Sequence, residues 1–104
     1  MKAIIYKIKE AVQRVAPNTE IILFGSQARG DATPDSDIDL LILVDNGKEK
    51  LSYDEKDVIL DSLFDLEMET GLEINPVIRT LKQWFNIPFR TPFYINVMNE
   101  GIKL

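Results

Sequence analysis

Apolar residues in the first part of the chain follow two different spacings. Residues 2–15 carry apolar side chains three and four positions apart, with lysine and glutamate between them, which is typical of an amphipathic helix. Pro17 predicts the end of this helix, because proline disfavours a helical conformation in the residue before it. The next apolar run, residues 20–24, is short and nearly continuous, as in a strand covered on both faces. The helical positions that share this spacing are Ile5, Ile8, Val12 and Val15.

A second strand and a long helix follow. Residues 37–44 alternate at first and then end in an apolar run, which predicts a central strand. Ser52 and Glu55 have the spacing of a capping box and therefore predict the start of a helix. Gly71 is a natural terminator, because glycine readily adopts the left-handed conformation after a last helical turn. We expect this helix to run to about Thr70.

The remaining sequence predicts one more strand and one more helix. Residues 72–79 alternate, and Pro76 lacks the N–H that a strand paired on both sides would donate, so we expect this strand at a sheet edge. Thr91 and Pro92 resemble an N-cap followed by proline at the first helical position. About three strands and three main helices predict an α/β (α+β) fold, with one domain over residues 1–104 that layers helices on a small mixed sheet.

Composition narrows the possible chemistry. The chain has no cysteine and no histidine, which excludes disulfides, thiolate zinc sites and mechanisms that need a histidine base. Any metal must be held by oxygen ligands, which suit magnesium or manganese better than zinc. The 17 acidic and 12 basic residues give a net charge of -5. This balance disfavours direct nucleic-acid binding, which normally needs a basic surface, and suits a metal or a basic partner.

The sequence also bears on where the protein works. The charged residues among the first seven lie too close together for a secretory signal peptide. No apolar run approaches the roughly 20 residues that a membrane-spanning helix needs. We therefore expect no membrane association and a soluble, cytoplasmic protein.

Two acidic residues stand at the start of the second predicted strand. Asp37 and Asp39 are two positions apart, so on a strand both side chains project from one face, about 7 Å apart along the backbone. Carboxylates at this spacing can share one or two magnesium ions and present them to a triphosphate. On its own, the pair also fits the solvated end of a loop.

A candidate phosphate-binding turn follows the first predicted strand. Gly25 allows the backbone to approach a phosphate closely, and N–H groups at a helix start favour anions. The Ser26 hydroxyl can donate to a phosphate oxygen. On its own, this turn also fits a helix cap without any ligand.

A polar loop joins these two features into one motif, Gly25-Ser26-x-Ala28-Arg29-Gly30 followed by Ser36-Asp37-x-Asp39-Leu40. The motif resembles that of the DNA polymerase β-like nucleotidyltransferases, and most closely that of their minimal, antitoxin-type members. The resemblance implies the nucleotidyltransferase fold. It also implies that Gly25 and Ser26 contact the terminal phosphates of ATP or another nucleoside triphosphate. Asp37 and Asp39 would be the catalytic pair and hold Mg²⁺ or Mn²⁺.

Arg29 occupies a position of this motif, and the resemblance places it with the nucleotide-binding residues. From the residues alone, its guanidinium can contact phosphate or pair with a nearby acid such as Asp31 or Asp35. Both interpretations stay open.

A third site position is also open. Active members of the family usually carry another carboxylate on a later strand, where it completes a metal site and helps to deprotonate the attacking hydroxyl. By its spacing from the glycine after the long helix, this position falls on Asn75, whose amide cannot take a proton. Glu73 points to the same face of the strand and can substitute, although it also fits a solvated acid at a strand edge.

Aromatic residues are concentrated between positions 84 and 94. We expect them either to close the core or to form a patch that faces a partner, because their spacing gives no reason to prefer base stacking. They are Trp84, Phe85, Phe89, Phe93 and Tyr94.

The resemblance implies a metal-dependent enzyme that transfers AMP from ATP to a hydroxyl acceptor. Minimal members of the family are often paired with a small helical HEPN-type protein in toxin–antitoxin modules, which makes such a protein the expected partner and acceptor. The alternative is a catalytically degenerate domain that binds a nucleotide or a partner without turnover, as Asn75 suggests. A third interpretation, an unrelated α/β regulatory module, requires the motif to be a coincidence.

Overall fold

The computed structural model describes residues 2–104 of the chain. These residues form a mixed α/β structure that confirms the predicted fold class. Its elements, in chain order, are α1 (Lys2–Val15), β1 (Thr19–Phe24), α2 (Ser26–Arg29), β2 (Ile38–Val44), α3 (Tyr53–Thr70), β3 (Ile74–Thr80), α4 (Leu81–Phe85), α5 (Pro92–Glu100) and β4 (Ile102–Lys103).

The four strands form one mixed sheet in the order β3-β2-β1-β4. Strand β1 runs antiparallel to β2 and to β4, whereas β3 runs parallel to β2. Strand β3 pairs only with β2, so the edge position expected from Pro76 is confirmed. The parallel register aligns Asp39 with Asn75 and so brings the start of β3 beside the start of β2.

Helices α1 and α3 cover one face of the sheet and enclose the larger core. Ile8 and Val12 of α1 and Ile59 of α3 are completely buried there. The inward face of α1 differs from the predicted one, because Ile4 is buried whereas Val15 is 42% exposed at the end of the helix. The helix itself ends before Pro17, as predicted.

The opposite face of the sheet is covered only in part. A smaller core of Leu41, Leu43, Trp84 and Val97 joins strand β2 to helices α4 and α5. Because side chains alternate along a strand, Asp37 and Asp39 point to this same face. The two helices therefore cover the far part of the face, while the start of β2 stays accessible.

The ends of α3 follow the local signals in the sequence. Ser52 accepts from the backbone N–H of Glu55, and the Glu55 side chain accepts from the backbone N–H of Ser52, which completes the capping box. Gly71 closes the helix in the left-handed conformation. Within residues 2–104, no helix combines the length and the apolar character that crossing a bilayer requires.

Two short elements were not predicted. Helix α4 has five residues and begins after Thr80, whose side chain accepts from the backbone N–H of Gln83. Strand β4 has two residues and extends the sheet beside β1 through antiparallel pairing with Ile22 and Leu23. Neither element is long enough to show an apolar period of its own, so the sequence predicts three strands where the structure has four.

Candidate active site

Three polar side chains meet where β2 and β3 begin. Because Asp39 lies opposite Asn75 in the parallel register, the amide of Asn75 reaches both acids. Asn75 Nδ2 donates to Asp37 Oδ2 at 3.0 Å and makes a longer contact of 3.5 Å with Asp39 Oδ1. The amide therefore links the two carboxylates.

Glu73 also lies beside Asp37. Its carbonyl oxygen accepts from the backbone N–H of Ile38 at 2.9 Å, which fixes the residue beside the start of β2. A hydrogen bond with Asp37, and then the negative charge of Asp37, raise the pKa of Glu73 because the protonated form relieves the repulsion. Glu73 and Asn75 therefore both border Asp37, and neither alternative for the third position is eliminated.

The site fits a cation that prefers oxygen ligands. Asp37 lies near Glu73 and shares the Asn75 amide with Asp39, and none of these three acids forms an ion pair within residues 2–104. In the same part of the chain, no three acidic side chains are arranged so that they could hold a metal ion by themselves. Magnesium commonly binds through one or two carboxylates together with substrate phosphates, which is the ligand set that Asp37 and Asp39 can offer.

The turn after β1 is in contact with Asp39 of this acidic pair. Gly25 has φ 75° and ψ −157°, a backbone conformation that essentially only glycine adopts. A Cβ atom at Gly25 would lie 2.4 Å from Asp39 Oδ2. The absence of a side chain at Gly25 therefore lets the turn and the carboxylate approach each other closely.

Replacing Gly25 with alanine should damage both stability and the site. We expect Gly25→Ala to lower the free energy of unfolding by about 1–3 kcal/mol from backbone strain and to displace the Asp39 carboxylate. Gly71→Ala is the matched control, because Gly71 also has a positive φ (72°) but no atom near its Cβ position. Thermal unfolding should show a loss in both variants, whereas Mg²⁺-dependent nucleotide binding should fall only in Gly25→Ala. Normal nucleotide binding by Gly25→Ala would contradict this view of the turn.

Ser26 begins the single turn of α2, directly after Gly25. Its carbonyl oxygen accepts from the backbone N–H groups of Gly30 and Asp31, at 3.0 and 3.2 Å. The Ser26 hydroxyl forms no hydrogen bond inside the described part of the chain. It is therefore available to donate to a ligand near Gly25.

Arg29 pairs with acids on two sides. Its Nε donates to Asp31 Oδ2 at 3.2 Å, and Nη1 donates to the carboxylate of Glu100 at 3.3 Å. The hydrogen bond to Asp31 is the main cause of the raised pKa of Arg29, and Glu100 adds to it. Of the two acids considered from the sequence, the structure selects Asp31 and leaves Asp35 unpaired with Arg29.

Glu100 is the site residue that the sequence did not reveal. It lies in the last turn of α5, yet its Oε1 accepts from the Gly25 N–H at 3.2 Å as well as from Arg29. The Glu100 carboxylate therefore accepts hydrogen bonds from two donors, the Gly25 N–H and the Arg29 guanidinium. A contact across 75 positions leaves no local pattern in the sequence, and only the packing of α5 against β1 creates it.

A family model of the nucleotidyltransferase domain matches residues 5–104. The chain belongs to this family. The match extends the resemblance from the motif to almost the whole chain and confirms the predicted minimal nucleotidyltransferase. It also confirms the enzyme class.

Two curated relatives from Methanocaldococcus jannaschii are similar over most of their length. Both are provisionally named protein adenylyltransferases. One is 38% identical over 82 residues, which cover 79% of this chain and 73% of the relative. The other is 34% identical over 84 residues, which cover 81% of this chain and 76% of the relative.

Two solved structures share the fold. A toxin–antitoxin crystal structure with AMP-PNP superimposes with a TM-score of 0.65 at 20% identity, over 94% of this chain and 69% of the other. A provisionally assigned nucleotidyltransferase from Sulfolobus solfataricus gives a TM-score of 0.58 at 22% identity, over 94% of this chain and 76% of the other. At these identities the likeness establishes the nucleotidyltransferase fold alone.

Proposed function

We propose that the protein binds ATP with Mg²⁺ or Mn²⁺ and transfers AMP to a hydroxyl group of a partner protein. The observation that carries this proposal is the contact between the turn and the acidic pair. Gly25 lies against Asp39, and Asn75 links Asp39 to Asp37. Donors for phosphate and ligands for a cation are therefore adjacent, as a metal-bound triphosphate requires.

Each group has a defined part in the transfer. The Gly25 N–H, the Ser26 hydroxyl and Arg29 bind the terminal phosphates, and Asp37 and Asp39 hold the cation. The bound cation supplies charge neutralisation for the phosphates. The acceptor oxygen forms a bond to the α-phosphorus, the bond from that phosphorus to the bridging oxygen breaks, and pyrophosphate leaves. The hydroxyl proton passes to a carboxylate of the site or to solvent.

A protein acceptor is supported by the relatives. The names of the Methanocaldococcus jannaschii proteins describe the transfer of an adenylyl group to a protein. A structural neighbour comes from a toxin–antitoxin complex with AMP-PNP. We therefore propose a small helical partner of the HEPN type, encoded beside this gene, as the acceptor.

The test uses the purified protein together with the product of the neighbouring gene. We expect calorimetry to show Mg²⁺-dependent ATP binding, and intact-mass measurement to show one adenylyl group added to the partner with release of pyrophosphate. GTP, CTP and UTP in parallel reactions report the base preference. ATP binding that is unaffected by Mg²⁺ removal would overturn the proposed site, and modification of the partner without this protein would overturn the assigned activity.

Glu100 gives a further prediction for nucleotide binding. A triphosphate that uses the Gly25 N–H and Arg29 must displace the Glu100 carboxylate, which carries the same sign of charge. We expect Glu100→Gln to tighten Mg²⁺-ATP binding by about three- to tenfold, because the competing charge is lost. Calorimetric Kd values for the two proteins check this.

The control for Glu100→Gln is Glu20→Gln. Glu20 forms an exposed ion pair with Lys103 at 3.3 Å, so its replacement removes one negative charge away from the turn. Any general effect of net charge on ATP binding should appear in both variants. Weaker ATP binding by Glu100→Gln than by Glu20→Gln would show that Glu100 assists the nucleotide instead of competing with it.

A second candidate function is nucleotide binding without turnover. The observation that favours it is the amide at position 75, which donates to Asp37 and Asp39 but cannot accept a proton. In this case the protein would act on its partner by binding alone. This candidate would be supported if the wild type binds ATP without transferring AMP, under conditions in which Asn75→Asp does transfer AMP.

A further inference from the structure

A groove opens on the face of the sheet that carries the acidic pair. It lies between α4, the connection 86–91 and α5, and its volume is about 390 Å³. Phe89, beside the groove, is 80% exposed, and Phe93 is 41% exposed. Arg79 lines one end of the groove, at the end of β3.

The segment of the chain that forms the groove differs from the rest in charge. Residues 74–99 contain three basic residues and no acidic residue, although the whole chain carries 17 acids. Within residues 2–104, none of these three basic residues forms an ion pair. They are Arg79, Lys82 and Arg90, and Arg79 is the one that lines the groove. The groove therefore combines an arginine that forms no ion pair within the described residues with exposed aromatic rings, in an otherwise acidic protein.

The arrangement of the rings favours a protein ligand over a nucleic acid. Trp84 packs edge-on against Phe93, with ring centroids 5.9 Å apart, and lies 4.9 Å from Tyr94. These rings pack against one another instead of presenting successive flat surfaces on which bases stack. A net charge of -5 also repels a polyanion more strongly than a short segment with one or two carboxylates.

The groove is within reach of the acidic pair. Arg79 follows Asn75 by four residues on β3, which corresponds to about 13 Å along the strand. Phe93 also packs edge-on against Phe24, with centroids 5.5 Å apart, and Phe24 directly precedes Gly25. About four extended residues of a docked chain would therefore connect the groove to Asp37 and Asp39.

We propose that this groove docks the acceptor protein through a short acidic segment with an aromatic or large aliphatic anchor. The anchor inserts beside Phe89 and Phe93, and an acidic side chain of the segment pairs with Arg79. Docking then presents a hydroxyl a few residues away to the acidic pair. This inference rests on the proposed transfer to a protein, and it names the chemistry by which that protein is recognised.

Three fluorescent peptides test the recognition directly. The first contains aspartates around one phenylalanine, the second replaces the phenylalanine by serine, and the third replaces the aspartates by lysines. We expect the first to bind about tenfold more tightly than either of the others, since both the anchor and the charge contribute. Amide chemical shifts should change at residues 79–94. Equal affinity for the three peptides, or tighter binding of a single-stranded oligothymidylate, would overturn the proposal.

Matched variants separate docking from folding and from catalysis. Phe89→Ser and Arg79→Gln should each lower the affinity for the first peptide by about three- to tenfold. Tyr53→Ser and Lys56→Gln are the controls, because Tyr53 is 89% exposed and both residues lie on α3, on the other side of the sheet. Equal losses in the controls would overturn the proposal. Asp37→Asn with Asp39→Asn should bind the peptide normally, so a failure of the transfer activity is distinguishable from a failure of docking.

Discussion

Replacing both Asp37 and Asp39 with asparagine should reduce AMP transfer by about 10³-fold or more, because the cation that neutralises the phosphates loses both of its anionic ligands. Asparagine is nearly isosteric with aspartate and can still exchange hydrogen bonds with the Asn75 amide. The fold should therefore survive the change. Initial rates of labelled AMP transfer to the partner, together with Mg²⁺-ATP affinity, measure the loss.

The stability of this double variant distinguishes a lost ligand set from a damaged fold. Without metal, the variant should be at least as stable as the wild type, because the negative charge of Asp37 no longer repels Glu73. Mg²⁺-ATP should raise the unfolding temperature of the wild type by binding the folded state, and should have little effect on the variant. Asp35→Asn is the charge-matched control, since Asp35 is exposed in the loop before β2. Equal activity of the double variant and this control would contradict the assigned role.

The elements that the sequence predicted well are those with local causes. The capping box of Ser52 and Glu55 and the left-handed Gly71 fix the ends of α3 through contacts between neighbours in sequence. The edge position of β3 follows from the single missing donor of Pro76. The spacing of Asp37 and Asp39 likewise needs only the alternation of a strand, and the structure places both on one face beside Asn75.

What escaped prediction depends on packing between distant segments. Glu100 contacts Gly25 because α5 packs near the end of β1. Strand β4 forms because the residues after α5 pair with the free edge of β1. The inward face of α1 was predicted correctly at Ile8 and Val12 but not at its ends, where Ile4 is buried and Val15 is exposed, because both sets of residues follow the helical period. In each case the local sequence was compatible with more than one packing arrangement, and only contacts between distant segments determine which one forms.

We expect the residue at position 75 to limit the rate of AMP transfer. The amide lies at the position from which a carboxylate would reach both Asp37 and Asp39, at 3.0 and 3.5 Å. A group that accepts the hydroxyl proton typically contributes about 10²–10⁴ to a rate. We therefore expect Asn75→Asp to raise the rate of AMP transfer by about 10²-fold, provided that the proton acceptor is what the wild type lacks.

The same substitution should make folding depend on the metal. Without Mg²⁺, Asn75→Asp loses two amide donors and adds a fourth acid to a group in which Asp37 already raises the pKa of Glu73. Its unfolding temperature should therefore fall below that of the wild type. Mg²⁺ should restore it, with a larger rise than in the wild type, because the cation binds the folded state more tightly when another carboxylate is present.

Glu73 provides the outcome that would contradict this prediction. If the Glu73 carboxylate beside Asp37 already accepts the proton, the wild type is active, Glu73→Gln loses about 10²-fold or more, and Asn75→Asp changes the rate little. If position 75 is decisive, Glu73→Gln leaves the slow wild-type rate almost unchanged and Asn75→Asp gains activity whether or not Glu73 is present. Rates for the wild type, the two single variants and the double variant therefore assign the proton acceptor, because the two hypotheses predict opposite rankings of the single variants.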